Sequence, residues 1–185
     1  MEIVVGVTGA TGTIYALNLL RDLKDTGKVN THLIMSDWAK ENLKIETDYS
    51  LMDMEGLATV VYDNKNLGAK ISSGSFITDG MVIVPCSMKT LSSIANGYDD
   101  NLISRTAGVM LKEGRKLILS PRETPLSTIH IENMLKLSRI GVRMVPPMPA
   151  FYTHPQSIKD VINHHVMKIM DQLGIDYDKA KRWQG

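Results

Sequence analysis

The feature that most limits the fold of this chain is an alternation. Short apolar runs at residues 3–7, 32–35, 81–84, 116–119 and 142–145 are separated by longer stretches with helical spacing at 13–23, 37–45, 88–95, 101–112, 128–140 and 157–173. The runs are rich in Val and Ile and bounded by Gly, Pro or Ser, as strands covered on both faces should be. Strand and helix in turn predict an α/β fold: a doubly wound, mostly parallel sheet with helices on both faces, of the Rossmann-like or flavodoxin-like kind. No repeat, low-complexity tract or linker interrupts the pattern, and the cluster Ser72-Ser73-Gly74-Ser75 reads as a loop inside the domain. The prediction is one domain over residues 1–185, a length that buries a full core at 43% hydrophobic content.

Charge narrows the ligands. The formal net charge is +1 and Lys and Arg form no long block, so neither nucleic acid nor an anionic membrane surface is an expected partner. No apolar run approaches the roughly 20 residues that span a bilayer. A single Cys and the absence of a secretion-type start predict a cytoplasmic protein. The 12 Met residues against two Phe and two Trp predict soft packing in the core and between subunits.

In open sheets of this kind ligands sit beyond the carboxyl ends of the strands, where helix N-termini offer unpaired N–H groups. The segments that follow the predicted strands contain Thr8 to Gly12, Ser36-Asp37, Pro85 to Thr90, Ser120 to Pro125 and Pro146 to Tyr152. Together they bring hydroxyls, amides, a Lys, an Arg, a Glu and a Tyr to one edge. The glycines of GVTGATG, residues 6–12, suit either a phosphate cradle or a closely packed strand-to-helix turn, and the run is neither a Walker A loop nor GxGxxG. Asp37 fits a helix N-cap better than a ribose reader. Ser36 either donates to a ligand or ends its strand. In PCSMKT, Ser87 and Thr90 straddle a helix start around Lys89, which points to a site, whereas Cys86 reads as a small buried thiol, since no His or Asn accompanies it in a recognisable pattern. Arg122 and Glu123 form either an ion pair or a phosphate grip beside a proton-transfer group. Glu132 and Asn133 read as capping or bridging groups. His164 and His165 are adjacent, so on a helix they point about 100° apart. They predict a solvated helix face, and no metal site is expected from the five His.

Five separated segments, GVTGATG, SSGSF-x-TDGMVIVPCSMKTLSSIANG, NLISRTAGVMLKEGRKLIL, PRETPLSTIHIENMLKLSRIG and PPMPAFYTHPQS, resemble in order the UbiX-type flavin prenyltransferases. The branch most similar is the bacterial one that accompanies the non-oxidative hydroxyarylic acid decarboxylases, and the likeness runs to Arg182-Trp183. The resemblance implies FMN as cofactor and transfer of a dimethylallyl group from dimethylallyl monophosphate to N5 and C6 of the reduced flavin. The prenylated FMN would serve a UbiD-type aromatic acid decarboxylase, and the assembly would be a homo-oligomer, a dodecamer by family resemblance. Flavin contacts then fall on Gly9, Ala10, Thr11, Ser36, Ser87, Met88, Lys89, Thr90 and Arg122. Prenyl-phosphate contacts fall on Tyr152 and Lys168, joined by Arg105, Lys112, Glu123 and Arg122 from the same or neighbouring subunits, with Trp183 nearby. Thr11, Glu46 and Glu123 take the catalytic positions. Two departures from the family pattern stand out: Thr11 replaces the usual Ser, and Lys168 stands where many relatives carry Arg. Two alternatives are an FMN-dependent aromatic acid decarboxylase acting directly and a non-catalytic flavin carrier. Related flavoprotein decarboxylases of cysteine-containing peptides or pantetheine conjugates carry a PASANT-like segment and an early-helix His, whereas this chain has PCSMKT and lacks that His.

Overall fold

The structure is a computed structural model that describes residues 1–183. Among these residues six parallel strands form one sheet: β1 (Glu2–Val7), β2 (Asn30–Met35), β3 (Val60–Asp63), β4 (Gly80–Cys86), β5 (Lys116–Pro121) and β6 (Arg143–Met144). Their order is β3-β2-β1-β4-β5-β6. The five predicted strands thus make a flavodoxin-like sheet, and β3 adds an edge strand beside β2. The helices are α1 (Thr13–Asp25), α2 (Asp37–Glu46), α3 (Leu51–Glu55), α4 (Met88–Ala95), α5 (Leu102–Lys112), α6 (Thr128–Arg139) and α7 (Ile158–Leu173).

Side chains of β1 alternate between two cores, as the two-residue period of a strand requires. Ile3, Val5 and Val7 pack with Leu17 and Leu20 of α1, Leu43 of α2 and Val166 of α7, whereas Val4 on the opposite face packs with Leu91 of α4, Ile103 and Met110 of α5 and Leu137 of α6. Both faces of the central strands are therefore dry, which is why β4 is buried at every position.

Helix starts are fixed by short polar side chains. Ser36 Oγ accepts from Ala39 N and Ser87 Oγ from Thr90 N, while Ser50, Asn101, Ser127 and Ser157 each complete a capping box. The cap of α2 is thus Ser36, not Asp37. Asp37 is the first helical residue and faces Lys65 at 3.7 Å. Glu132 lies exposed within α6 and caps nothing, because Ser127 and His130 already fill that role.

Candidate active site

The chain order reverses between β1 and β4, which pair from Ile3 opposite Gly80 to Gly6 opposite Ile83. On the other side of β4, Pro85 has no N–H to give the ladder, and the β4–β5 register shifts between Ile83 and Cys86. Thr8, buried just beyond β1, ties the ends of β1 and β4 together. Its N–H and hydroxyl both donate to the Pro85 carbonyl, at 3.2 and 2.9 Å, and its hydroxyl oxygen accepts from Ser87 N at 2.7 Å. Ser87, half-buried, starts α4 at this point, with Met88, Lys89 and Thr90 in the first turn and no acidic side chain among them. Lys89 reaches toward Asp100 at 3.9 Å.

The first turn is pressed against the start of α2. A Cβ on Gly9 would lie 2.5 Å from Trp38 Cβ, so only glycine allows this approach. Asn42 Nδ2 donates to the Ala10 carbonyl at 3.0 Å and Ser36 N donates to the Val7 carbonyl at 3.0 Å. The two hydroxyl-capped helix starts, α2 at Ser36 and α4 at Ser87, are thereby held on either side of β1.

The start of α1 behaves differently. Gly12, at φ 111°, precedes it without a side-chain cap. Instead Glu46, the last residue of α2, accepts from Gly12 N at 2.9 Å and from Thr13 N at 3.0 Å through one carboxylate oxygen. These amides are the ones a phosphate in the GVTGATG turn would use, so the protein's own carboxylate takes that position. Glu46 lines a cleft of about 380 Å³ with Thr11, Tyr15, Arg122 and Pro147. Arg122 is anchored just past β5 by its N–H, which donates to the Cys86 carbonyl at 3.1 Å. Glu123 is exposed and its carboxylate accepts from Thr124 N at 3.0 Å. Among the described residues it forms no ion pair with Arg122.

A second cleft, of about 770 Å³, joins Lys168, His164 and His165 of α7 to the apolar wall Met144, Val145, Pro146 and Met148. The expectation of a solvated face at His164 and His165 fails here, since both side chains are buried. His165 Nε2 lies 2.9 Å from Ser120 Oγ at the end of β5, and its ring meets Tyr15 edge-on at 4.7 Å. Burial first, then the neighbouring His164, pushes its pKa down to about 4. His164 Nε2 lies 2.9 Å from the Tyr152 hydroxyl. Tyr152 in turn meets the Trp183 ring edge-on at 5.6 Å, so two residues of the expected prenyl-phosphate set are in contact.

Arg105 and Lys112 stand apart from both clefts. They line a third hollow, of about 450 Å³, with the loop Ser72 to Ser75 and Glu113. Arg105 faces Asp99 at 3.5 Å and Lys112 pairs with Glu113. Within one chain, therefore, Thr11, Glu46 and Arg122 share the first cleft, Lys168 lines the second, which adjoins it along Pro146 to Met148, Tyr152 and Trp183 reach the second only through His164, and Arg105 with Lys112 does not join. Sequence reasoning placed Thr8 only as part of a strand-end segment and missed Tyr15, His164 and His165, whose partners lie on other segments.

Cys86 is fully buried, and burial raises its thiol pKa to about 12. The sequence reading of an inert thiol thus agrees with its surroundings. The native protein should resist iodoacetamide at pH 8 and be alkylated once in urea, as mass spectrometry would show. Rapid native labelling would reopen the nucleophile reading.

The flavoprotein family model matches residues 1–170. A flavin prenyltransferase of Lactiplantibacillus plantarum is 57% identical over 100% of this chain and 98% of its own length. A dodecameric FMN-dependent UbiX-like decarboxylase from Escherichia coli O157:H7 superposes with a TM-score of 0.99 at 55% identity, covering both chains completely. A UbiX structure in complex with FMN and dimethylallyl pyrophosphate superposes at 0.98 with 48% identity, covering 100% of this chain and 97% of that one. Sheet order, laced first turn and full-length identity agree, and the chain belongs to the flavoprotein family as a UbiX-like flavin prenyltransferase.

Proposed function

We propose that the protein transfers a dimethylallyl group from dimethylallyl monophosphate to N5 and C6 of reduced FMN, and that its product is the cofactor of a separate UbiD-type aromatic acid decarboxylase. The observation that carries this is the juxtaposition of two sites: a donor-rich edge at the switch point, and an apolar cleft ending in Lys168. The first suits a flavin with its phosphate. The second suits a short hydrocarbon attached to an anion.

The residues present fit FMN. Ser36, Ser87 and Thr90 supply hydroxyls at two helix starts, and the first turn of α4 carries no carboxylate to repel a phosphate. Gly9, Ala10 and Thr11, with Met88, Lys89 and Arg122, complete the contacts in this reading. Reduced FMN supplies the electron-rich N5 and C6 positions that accept the prenyl group. The chain's own residues supply the rest. Monophosphate is a modest leaving group, so Lys168, Arg122 and the Tyr152 hydroxyl stabilise charge as the C–O bond breaks. Arg105 and Lys112 reach this site from a neighbouring copy, which explains why they stand apart in one chain. A homo-oligomer, a dodecamer like the E. coli relative's, would supply that copy. The exposed Ile129, Ile131, Leu135 and Phe151 are apolar surface for such contacts. Thr11 orients a proton near N5, and Glu46 fixes the turn that presents Thr11. Glu123, exposed in one chain, is covered by the neighbouring copy in this reading, and that burial lets its carboxyl keep a proton for the departing phosphate. No helix of the described residues is long and apolar enough to cross a membrane, and with one reduced Cys the protein fits the cytoplasm.

Anaerobic incubation with reduced FMN and dimethylallyl monophosphate, followed by mass spectrometry of the extracted flavin, tests this reading. A gain of one C5 unit supports it. An unchanged mass with FMN bound overturns it, and a parallel incubation with the pyrophosphate settles the donor. Glu123→Gln should keep FMN bound while slowing transfer at least about 100-fold, the loss typical of a missing general acid. Normal turnover in that variant would remove Glu123 from the chemistry.

A further inference from the structure

Tyr152 lies in the irregular segment between β6 and α7, with no regular backbone hydrogen bonding to hold it, and its side chain is 42% exposed. Among the described residues its hydroxyl makes one hydrogen bond, to His164 Nε2 at 2.9 Å. The two rings are also edge-to-face, with centroids 5.7 Å apart at 80°, and Trp183 closes the other side at 82°. The phenol thus touches two rings and is tethered at its oxygen by one hydrogen bond.

The tether comes from a buried group on a rigid element. His164 is 8% exposed and sits four residues before Lys168 on α7, so imidazole and ammonium share one helix face and line the same cleft. Nothing in the proposed prenyl transfer uses His164. We propose that His164 is a positioning residue for that transfer: its Nε2–H donates to the Tyr152 oxygen and leaves the phenolic proton aimed at the phosphate of the prenyl donor. The proposal rests on the prenyltransferase function.

The chemistry favours this orientation. A neutral imidazole carries one N–H. Burial, and then the Lys168 charge, hold the His164 pKa below its ordinary value, with Asp171 opposing, so the ring is neutral near pH 7.5. If Nε2 were the acceptor, Tyr152 would spend its proton on the histidine and turn only lone pairs toward an anion. With Nε2–H as donor, the phenol keeps its proton, and polarisation along the pair strengthens the hydrogen bond it gives.

Two measurements test this. Magic-angle-spinning NMR of protein labelled with 15N-histidine, at pH 7.5 and with FMN bound, reads the tautomer directly. An Nε2–H signal for His164, assigned by its loss in His164→Gln, is expected, and an Nδ1–H tautomer overturns the proposal. Steady-state kinetics then compares His164→Leu, His164→Gln, Tyr152→Phe and the Tyr152→Phe/His164→Leu pair. His164→Leu should raise KM for dimethylallyl monophosphate about tenfold without changing FMN affinity, the size of one lost hydrogen bond to a charged group. His164→Gln, whose amide N–H can replace the donor, should stay within about threefold. The double variant should match Tyr152→Phe alone, because His164 acts only through Tyr152. Additive losses, or Gln no better than Leu in folded protein, overturn the proposal. If His164→Leu does not fold, His164→Gln and the tautomer decide. Absence of prenyl transfer by the wild-type protein would defeat the functional reading instead, a result distinct from a wrong tautomer.

Discussion

Lys168→Ala is expected to lower prenyl-transfer turnover by about 100- to 1,000-fold while FMN remains bound. Lys168 is exposed on α7 and borders the apolar cleft, and among the described residues it forms no ion pair. In the proposed reaction negative charge grows on the leaving phosphate, so a fixed cation there stabilises the transition state more than the ground state. Flavin affinity should not follow, since the hydroxyl-capped starts of α2 and α4 belong to other elements. Steady-state assays with the donor varied, paired with flavin-fluorescence titration, separate the two effects. Lys168→Arg should retain most activity and lower KM, because a guanidinium can hold two phosphate oxygens where an ammonium holds one. Unchanged turnover in Lys168→Ala would remove Lys168 from the site.

The second large effect concerns acid. His165 is buried against Ser120 and Tyr15, and its pKa of about 4 in the folded chain lies below its ordinary 6.5. Between these values the unfolded chain binds a proton that the folded chain refuses, so stability falls as pH drops from about 6.5 toward 4. The difference corresponds to about 3 kcal/mol from this residue, lost by pH 4. His164, shifted in the same direction, adds to the loss. Urea unfolding at fixed protein concentration, followed from pH 7 to 4, should show the decline. His165→Gln, whatever its own stability, should flatten the curve. An equally steep curve in that variant would assign the acid sensitivity elsewhere.

Periodicity revealed the elements whose pattern is strong and local. β1, β2, β4 and β5 are apolar because both sheet faces are covered, and the expected ranges lie inside the observed ones. β3 escaped because an edge strand needs only one dry side: Val60 and Tyr62 are half-buried while Val61 and Asp63 are exposed. β6 is shorter than the apolar run around it, since only Arg143 and Met144 pair with β5. In the candidate site, the helix starts at Ser36 and Ser87 were legible because starts after strands carry their own signature. His164 and His165 were not. Histidine's polarity alone does not decide burial, and the partners these rings meet, Tyr152 12 residues away and Ser120 45 residues away, lie on other segments. Thr8 stood out only by its place after the first strand, since its role depends on the Pro85 carbonyl opposite.

The Glu46 carboxylate at the head of α1 bears on nucleotide selectivity. A sheet ordered β3-β2-β1-β4-β5-β6 is also the frame on which nicotinamide dinucleotides bind, with their pyrophosphate on the amides that open the first helix. Here Gly12 and Thr13 already give those amides to an anion supplied by α2. A diphosphate arriving at that position would meet amides already engaged and a like charge in its place. In the proposed reading a mononucleotide sits one strand over, where the first turn of α4 carries no carboxylate.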